Sequence, residues 1–232
     1  ANLYVDKNLI IQGAGAGSTI VQAAAAPNTT YSNVFTIGAT VTIAGMTIQN
    51  AGIYSSSTGA IYVYSGQSLT LKDCSVQDNN GYYAAAIYTD SSSVLTIQNS
   101  SIVNNSAEYY AAFIVYSDTV TIANSTISGN DSLYYGGAGY FYYNNVDIDY
   151  STFSNNTVNY YGGAFYCYGA TLNLRGSIIA GNSSEGSYTN FDSDVYNDGC
   201  TINSLGDNLT GQGTGLSLSG AGDSTVVGDS VF

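Results

Sequence analysis

The sequence predicts an all-β protein, a right-handed parallel β-helix with coils of about 26 residues and three short strands per coil. Three observations predict it: a segment recurring at that period, two apolar alternations locked to the same period, and columns of like polar residues between them. A single domain over 1–232 follows, with N-terminal coils over 1–58, regular tyrosine-rich coils over 59–190, and irregular C-terminal coils with a terminal strand over 191–232.

The recurring segment begins at Gly59-Ala60-Ile61-Tyr62, Ala85-Ala86-Ile87-Tyr88, Ala112-Phe113-Ile114-Val115, Gly137-Ala138-Gly139-Tyr140 and Gly163-Ala164-Phe165-Tyr166, at spacings of 26, 27, 25 and 26. A fixed period in this range is the signature of a solenoid, because each unit buries its apolar face only against its neighbours. A second strand alternates apolar and polar residues at Val41-Thr42-Ile43, Leu69-Thr70-Leu71, Leu95-Thr96-Ile97, Val120-Thr121-Ile122, Val146-Asp147-Ile148 and Leu172-Asn173-Leu174. A third strand is centred on Ile48, Val76, Ile102, Ile127, Phe153 and Ile179. The strands are too short, and the gaps too rich in Gly, Asn and Ser, for propeller blades.

Coils stacked about 4.8 Å apart turn equivalent residues into ladders. Asn79, Asn105, Asn130, Asn156 and Asn182 form the clearest ladder, with Asn expected to accept the left-handed backbone of a corner and to hydrogen-bond along the stack. Cys74, Ser100, Ser125, Ser151 and Ser177 form a second column, expected to be small and inward-facing.

Composition limits the function. The formal net charge is -13 and only 8% of residues are charged, with Lys7, Lys72 and Arg175 the only cations. A phosphate backbone has almost nothing to bind, and no apolar run approaches bilayer length, so neither nucleic acid nor membrane insertion is expected. Ala1, with no initiator Met and no signal-like segment, reads as a processed or cloned start. Few lysines and many Ser, Thr, Asn and Tyr suit an extracellular or cell-surface location. Glycan-acceptor triplets begin at Asn28, Asn99, Asn104, Asn124, Asn130, Asn155, Asn182 and Asn208, although so Asn-rich a chain produces them by chance. Three cysteines allow one internal bridge, for which Cys167 with Cys200 is the candidate pair; the alternative is three small buried side chains.

The Gly-Gly-Ala-Phe of Gly162 to Phe165 and the Phe-x-x-Asn of Phe153 to Asn156 resemble the repeats of polymorphic outer-membrane-type surface passengers. The whole pattern is similar to right-handed β-helix repeat proteins of the pectate-lyase-like superfamily. The stretch Asp6 to Gly13 resembles their first coil, and Ser177 to Gly211 their last coils. The resemblance implies a β-helix displayed at a cell surface.

Twenty-three tyrosines follow the repeat. Pairs fall at one corner, Tyr82-Tyr83, Tyr109-Tyr110, Tyr134-Tyr135 and Tyr160-Tyr161. A column of Tyr62, Tyr88, Val115, Tyr140 and Tyr166 lies on the first strand, with Tyr64, Tyr142 and Tyr168 two residues on. Strand alternation sends the column outward if Ile61, Val63, Ile87, Phe165 and Cys167 face the core. Such an array either stiffens the rod or offers a surface to a glycan or to another copy of the chain.

No catalytic centre is expected. His is absent, and the one local cluster, Asp147, Asp149 and Arg175, reads as a cross-coil ion pair. Asp192, Asp194 and Asp198 do not match an EF-hand, and no metal or cofactor is expected. The ends, Asn2 to Gln12 and Leu216 to Phe232, read as strands without a capping helix. These features point to a non-enzymatic structural or adhesive surface protein, with head-to-tail self-assembly into a filament as its sharpest form. A carbohydrate-binding module is the alternative, and a polysaccharide lyase or hydrolase the second alternative.

Overall fold

The computed structural model describes residues 2–26, 32–52, 59–116, 119–184, 194–211, 216 and 218–225. No helix occurs among them. Equivalent strands of successive coils pair in parallel, building three long sheets of eight, eight and nine strands.

The first sheet includes Leu3–Val5, Phe35–Ile37, Ile61–Val63, Ile87–Thr89, Phe113–Val115, Gly139–Tyr142, Phe165–Tyr168 and Val195–Asp198. In the second sheet, Ser68–Lys72 pairs with Val94–Gln98 so that Leu69 meets Leu95 and Leu71 meets Ile97. Those four side chains are buried, while Thr70 and Thr96 between them are half-exposed, as a one-sided strand requires. The third sheet carries Val76, Ile102 and Ile127 in register, all buried. A fourth, minor ladder of two-residue strands was not foreseen: Asn80–Gly81, Ser106–Ala107, Asp131–Ser132, Thr157–Val158 and Ser183–Ser184. The inward side chains fuse into one continuous core. Phe113, Phe141 and Phe165 pack at centroid distances of 5.5 and 5.1 Å along its axis. Gly139 faces Phe113, and any side chain there would occupy the space of that ring.

Two corners repeat the same device, a left-handed residue followed by a buried polar one. At the corner after the third strand, Asp78, Asn104, Gly129, Asn155 and Gly181 have φ of 53°, 55°, 63°, 55° and 72°. The ladder asparagines come next. The left-handed conformation expected of them thus falls one residue earlier, because the chain must turn before the following side chain can point inward. Each ladder amide is then fully used. Asn105 Nδ2 donates to Asn130 Oδ1 at 2.9 Å and to the carbonyl of Val76, while the Asn105 N–H also donates to Asn130 Oδ1. Asn79, Asn130 and Asn156 repeat the pattern. A buried amide with all its donors and acceptors paired stabilises the stack, where an unpaired one would cost about 1–3 kcal/mol.

At the other corner the serine column forms a second ladder. The N–H groups of Cys74, Ser100, Ser125 and Ser151 donate to Ser100, Ser125, Ser151 and Ser177 Oγ at 3.1 to 3.2 Å. Beyond the regular coils, Asn208 and then Asp223 continue it as acceptors.

One alignment needs correction. In the first sheet Tyr88 pairs with Ile114 and Ile114 with Tyr140, so Ile114, not Val115, stands in the tyrosine column. Val115 points inward opposite Phe141. The spacing is a uniform 26 from Ile61 to Phe165, through Ile87, Phe113 and Gly139. The single missing residue lies between this strand and Thr119, since Val94 pairs with Thr119 one residue short of the period.

Candidate functional site

Residues outside the core on the first sheet form a continuous aromatic face. Tyr62, Tyr88, Tyr140 and Tyr166 project outward because their neighbours in the strand are committed to the core. Ile114 is buried at its place in the column, and Tyr116 covers it. The path Tyr62, Tyr88, Tyr116, Tyr140, Tyr166, Tyr196 runs with centroid distances of 5.5, 6.0, 6.2, 5.2 and 5.1 Å. Tyr116 and Tyr196 escaped the sequence reading. Tyr116 was obscured by the misplaced Val115, and Tyr196 by a coil enlarged to 30 residues between Phe165 and Val195. The alternation Val195-Tyr196-Asn197 is the signal that would have found Tyr196.

The corner tyrosines stack beside this column. The N–H groups of Tyr109 and Tyr110 donate to the carbonyls of Tyr82 and Tyr83, and Tyr110 stands opposite Ala84, so Tyr109 falls over Tyr83 and the first pair is offset by one residue from the others. Tyr109 lies 5.0 Å from Tyr134, and Tyr134 lies 5.7 Å from Tyr160. The second members lean toward the first sheet, so that Tyr110 stacks on Tyr140 at 4.6 Å and 14°. Tyr135 and Tyr161 likewise approach Tyr166 and Tyr196 at 5.4 and 4.6 Å. Between the two stacks opens a cleft of about 360 Å³ lined by Tyr110, Tyr135, Tyr140, Tyr161, Tyr166 and Tyr196.

Several phenols of the face are held in their neutral form. Burial, followed by neighbouring phenols, pushes the Tyr110 and Tyr140 phenols well above their ordinary value. Burial, then the nearby Asp198 carboxylate, moves Tyr166 up to about 12. Tyr62 donates to Asp90 at 2.6 Å, and burial and that bond raise its phenol as well. The cleft therefore offers ring edges and hydroxyls that donate hydrogen bonds. Its rings already show one another many of their faces.

The other expected sites fall in different places. Arg175 and Asp149 form an exposed pair at 4.0 Å, and Asp147 accepts from Asn173 Nδ2 at 2.8 Å. Asp194 is buried and accepts from Asn182, so it is not part of an open carboxylate cluster with Asp198; Asp192 lies outside the described residues. Among the described residues no group of three His, Cys, Asp or Glu gathers to hold a metal. Cys167 and Cys200 are joined, with Cα atoms 6.1 Å apart, and Cys74 is a buried free thiol.

The acceptor triplets divide by burial. Asn99, Asn104, Asn124 and Asn155 are exposed left-handed corner residues, open to a modifying group. Asn130, Asn182 and Asn208 are buried and their amides are committed to the ladders, which closes them to glycans in this fold. The triplet at Asn28 lies outside the described residues.

No helix among the described residues is long and apolar enough to cross a membrane. No curated protein and no solved structure shows significant similarity to the chain. A family model described as right handed beta helix region matches residues 35–202, well over half of the chain and the whole span of the regular coils. With its parallel sheets, its in-register core and its corner ladders, the protein belongs to the right-handed β-helix family.

Proposed function

We propose that the protein is a non-enzymatic structural or adhesive rod of the cell surface or extracellular space, which meets its partners through the tyrosine face and adds copies of itself end to end. The carrying observation is the unbroken aromatic path from Tyr62 to Tyr196 on a rigid sheet. Tyr140 is buried and the other tyrosines of the path are half-exposed, and aromatic-rich surfaces on a rigid scaffold are the usual material of interaction surfaces. The resemblance to surface-displayed β-helix passengers supports the location.

End-to-end addition takes place where the outermost coil is open to a second copy of the chain, and the first described coil has the form that such a contact uses. Its strands Leu3–Val5, Leu9–Gln12 and Ile20–Gln22 each stand at the edge of a sheet, and Leu3, Tyr4, Leu9, Ile10 and Ile20 are exposed there. Edges of this kind accept a further layer of strands, and a head-to-tail contact that does not close makes a filament. Electron microscopy of the purified protein at rising concentration tests this. Filaments are the expected result, and a monomeric rod at high concentration overturns the assembly.

The cleft favours one second reading, a carbohydrate site, since its six hydroxyls can bond a sugar. The rings' faces being partly occupied by one another favours the protein partner. A glycan array separates the two, because retained sugar that is lost in Tyr135→Ala would put the carbohydrate reading first. The absence of catalysis is part of the proposal, and turnover of an acidic polysaccharide that disappears in Arg175→Ala would reverse it.

A further inference from the structure

The corner stack combines close phenols, solvent access and a lack of competing oxidisable groups. Tyr83 and Tyr109 lie 5.0 Å apart with ring planes 33° from each other, Tyr109 and Tyr134 5.0 Å apart at 36°, and Tyr134 and Tyr160 5.7 Å apart at 19°. Tyr83 and Tyr160 are exposed, and Tyr109 and Tyr134 are half-exposed. Tryptophan is absent from the sequence, and the single methionine, Met46, is buried. Cys74 is buried and the other two cysteines are already joined. The side chains that normally intercept oxidants are therefore missing or shielded. A one-electron oxidant arriving at this surface meets phenols first, each with a like phenol from the next coil at its side.

We infer that the corner column Tyr83, Tyr109, Tyr134 and Tyr160 is a modification site, at which a peroxidase and hydrogen peroxide couple tyrosines of successive coils into dityrosine. In the reaction each phenol gives up one electron and its hydroxyl proton, leaving a neutral tyrosyl radical. Two radicals on adjacent coils join through ring carbons ortho to oxygen. The hydrogen displaced from each of those carbons moves to the phenoxy oxygen and restores both aromatic rings. One bond thus consumes two electrons and two protons' worth of hydrogen, and one hydrogen peroxide becomes two waters.

The place suits a staple. The ladder next to this corner consists of two-residue strands, the shortest regular pairing in each coil. A carbon–carbon bond between neighbouring coils would add a covalent link to a corner joined otherwise by backbone hydrogen bonds. Because register is set by the sheets on either side, the coupled partners are dictated by the fold.

The folded protein treated with peroxidase and hydrogen peroxide, then digested and mapped by mass spectrometry, tests the assignment. The expected result is peptides joining Tyr109 to Tyr134 or Tyr134 to Tyr160, lighter by two hydrogens per bond, in a yield that does not fall when the protein is diluted. Tyr134→Phe, which keeps the ring and the packing, abolishes both bonds and leaves only coupling between Tyr83 and Tyr109. The assignment is overturned if free tyrosine in the same reaction couples while the protein does not. It is equally overturned if the yield falls on dilution, showing bonds between molecules, or if coupling goes to exposed Tyr143 and Tyr150 and bypasses the column.

Discussion

Asn182 donates both its backbone N–H, at 3.2 Å, and its side-chain Nδ2, at 2.8 Å, to one carboxylate oxygen of Asp194. Asp194 thereby takes the place of the next asparagine, and the ladder ends on a group that only accepts. The cost is a buried carboxylate. Burial raises its pKa, and the hydrogen bonds from Asn182 only partly oppose this.

A carboxyl whose folded pKa is raised contributes stability that is fully present below its ordinary value of 3.8 and is lost as pH rises through the folded value. Urea unfolding across a pH series should show that decline in the native protein, superimposed on other groups. Asp194→Asn keeps an acceptor for Asn182 and should flatten it. Asp194→Ala leaves both donors unmatched and should destabilise by about 1–3 kcal/mol at all pH values. Equal pH slopes in the native protein and Asp194→Asn would contradict this account.

Neighbouring corner residues should respond in opposite ways. Asn130→Ala strands the donors of Asn105 and should cost about 3 kcal/mol. Asn104 is exposed with φ of 55°, so Asn104→Gly should be neutral or slightly stabilising, while Asn104→Val should cost about 1–2 kcal/mol. Chemical denaturation of the three variants checks the ordering.

Phenols with raised pKa work in the alkaline range. Their contribution is fully present below the ordinary value of 10.0 and is lost as pH rises toward the folded values, about 12 for Tyr88 and Tyr166. Phenolate absorbance from these half-buried tyrosines should therefore rise late, coinciding with unfolding. Tyr166→Phe should reduce the alkaline loss of stability.

Thiol chemistry should distinguish the three cysteines. The bridge closes a separation of 33 residues, and Cys200→Ser should cost about 3–4 kcal/mol. Burial raises the Cys74 thiol, which should resist alkylation until the protein unfolds. Labelling of the unreduced protein with and without urea gives the count.

The coil length, the strands and both ladders were legible because each coil repeats the demands of its neighbours, so Asn130 or Ser125 is specified by its column as well as by its own surroundings. Legibility failed where the register or the period was obscured. Starting the repeat at Ala112 where Ala111 is the equivalent of Ala85 displaced the tyrosine column onto Val115, and the enlarged coil before Val195 concealed Tyr196. The cleft itself was hidden for another reason. Its walls come from two parts of the coil whose relative tilt, Tyr110 over Tyr140, depends on packing outside the core. Sequon patterns likewise carry no information on burial, so Asn130, Asn182 and Asn208 read the same as Asn99 until their side chains are placed.

The asparagine ladder points one way, every coil giving hydrogens to the coil that follows it. Detaching the coil of Asn182 strands a pair of enclosed N–H donors on Asn156, whereas detaching the coil of Asn79 takes donors from the Asn105 oxygen, and orphaned donors are the less tolerated of the two. Within the laddered coils the stack is thus mechanically asymmetric, yielding more readily from the Asn79 side.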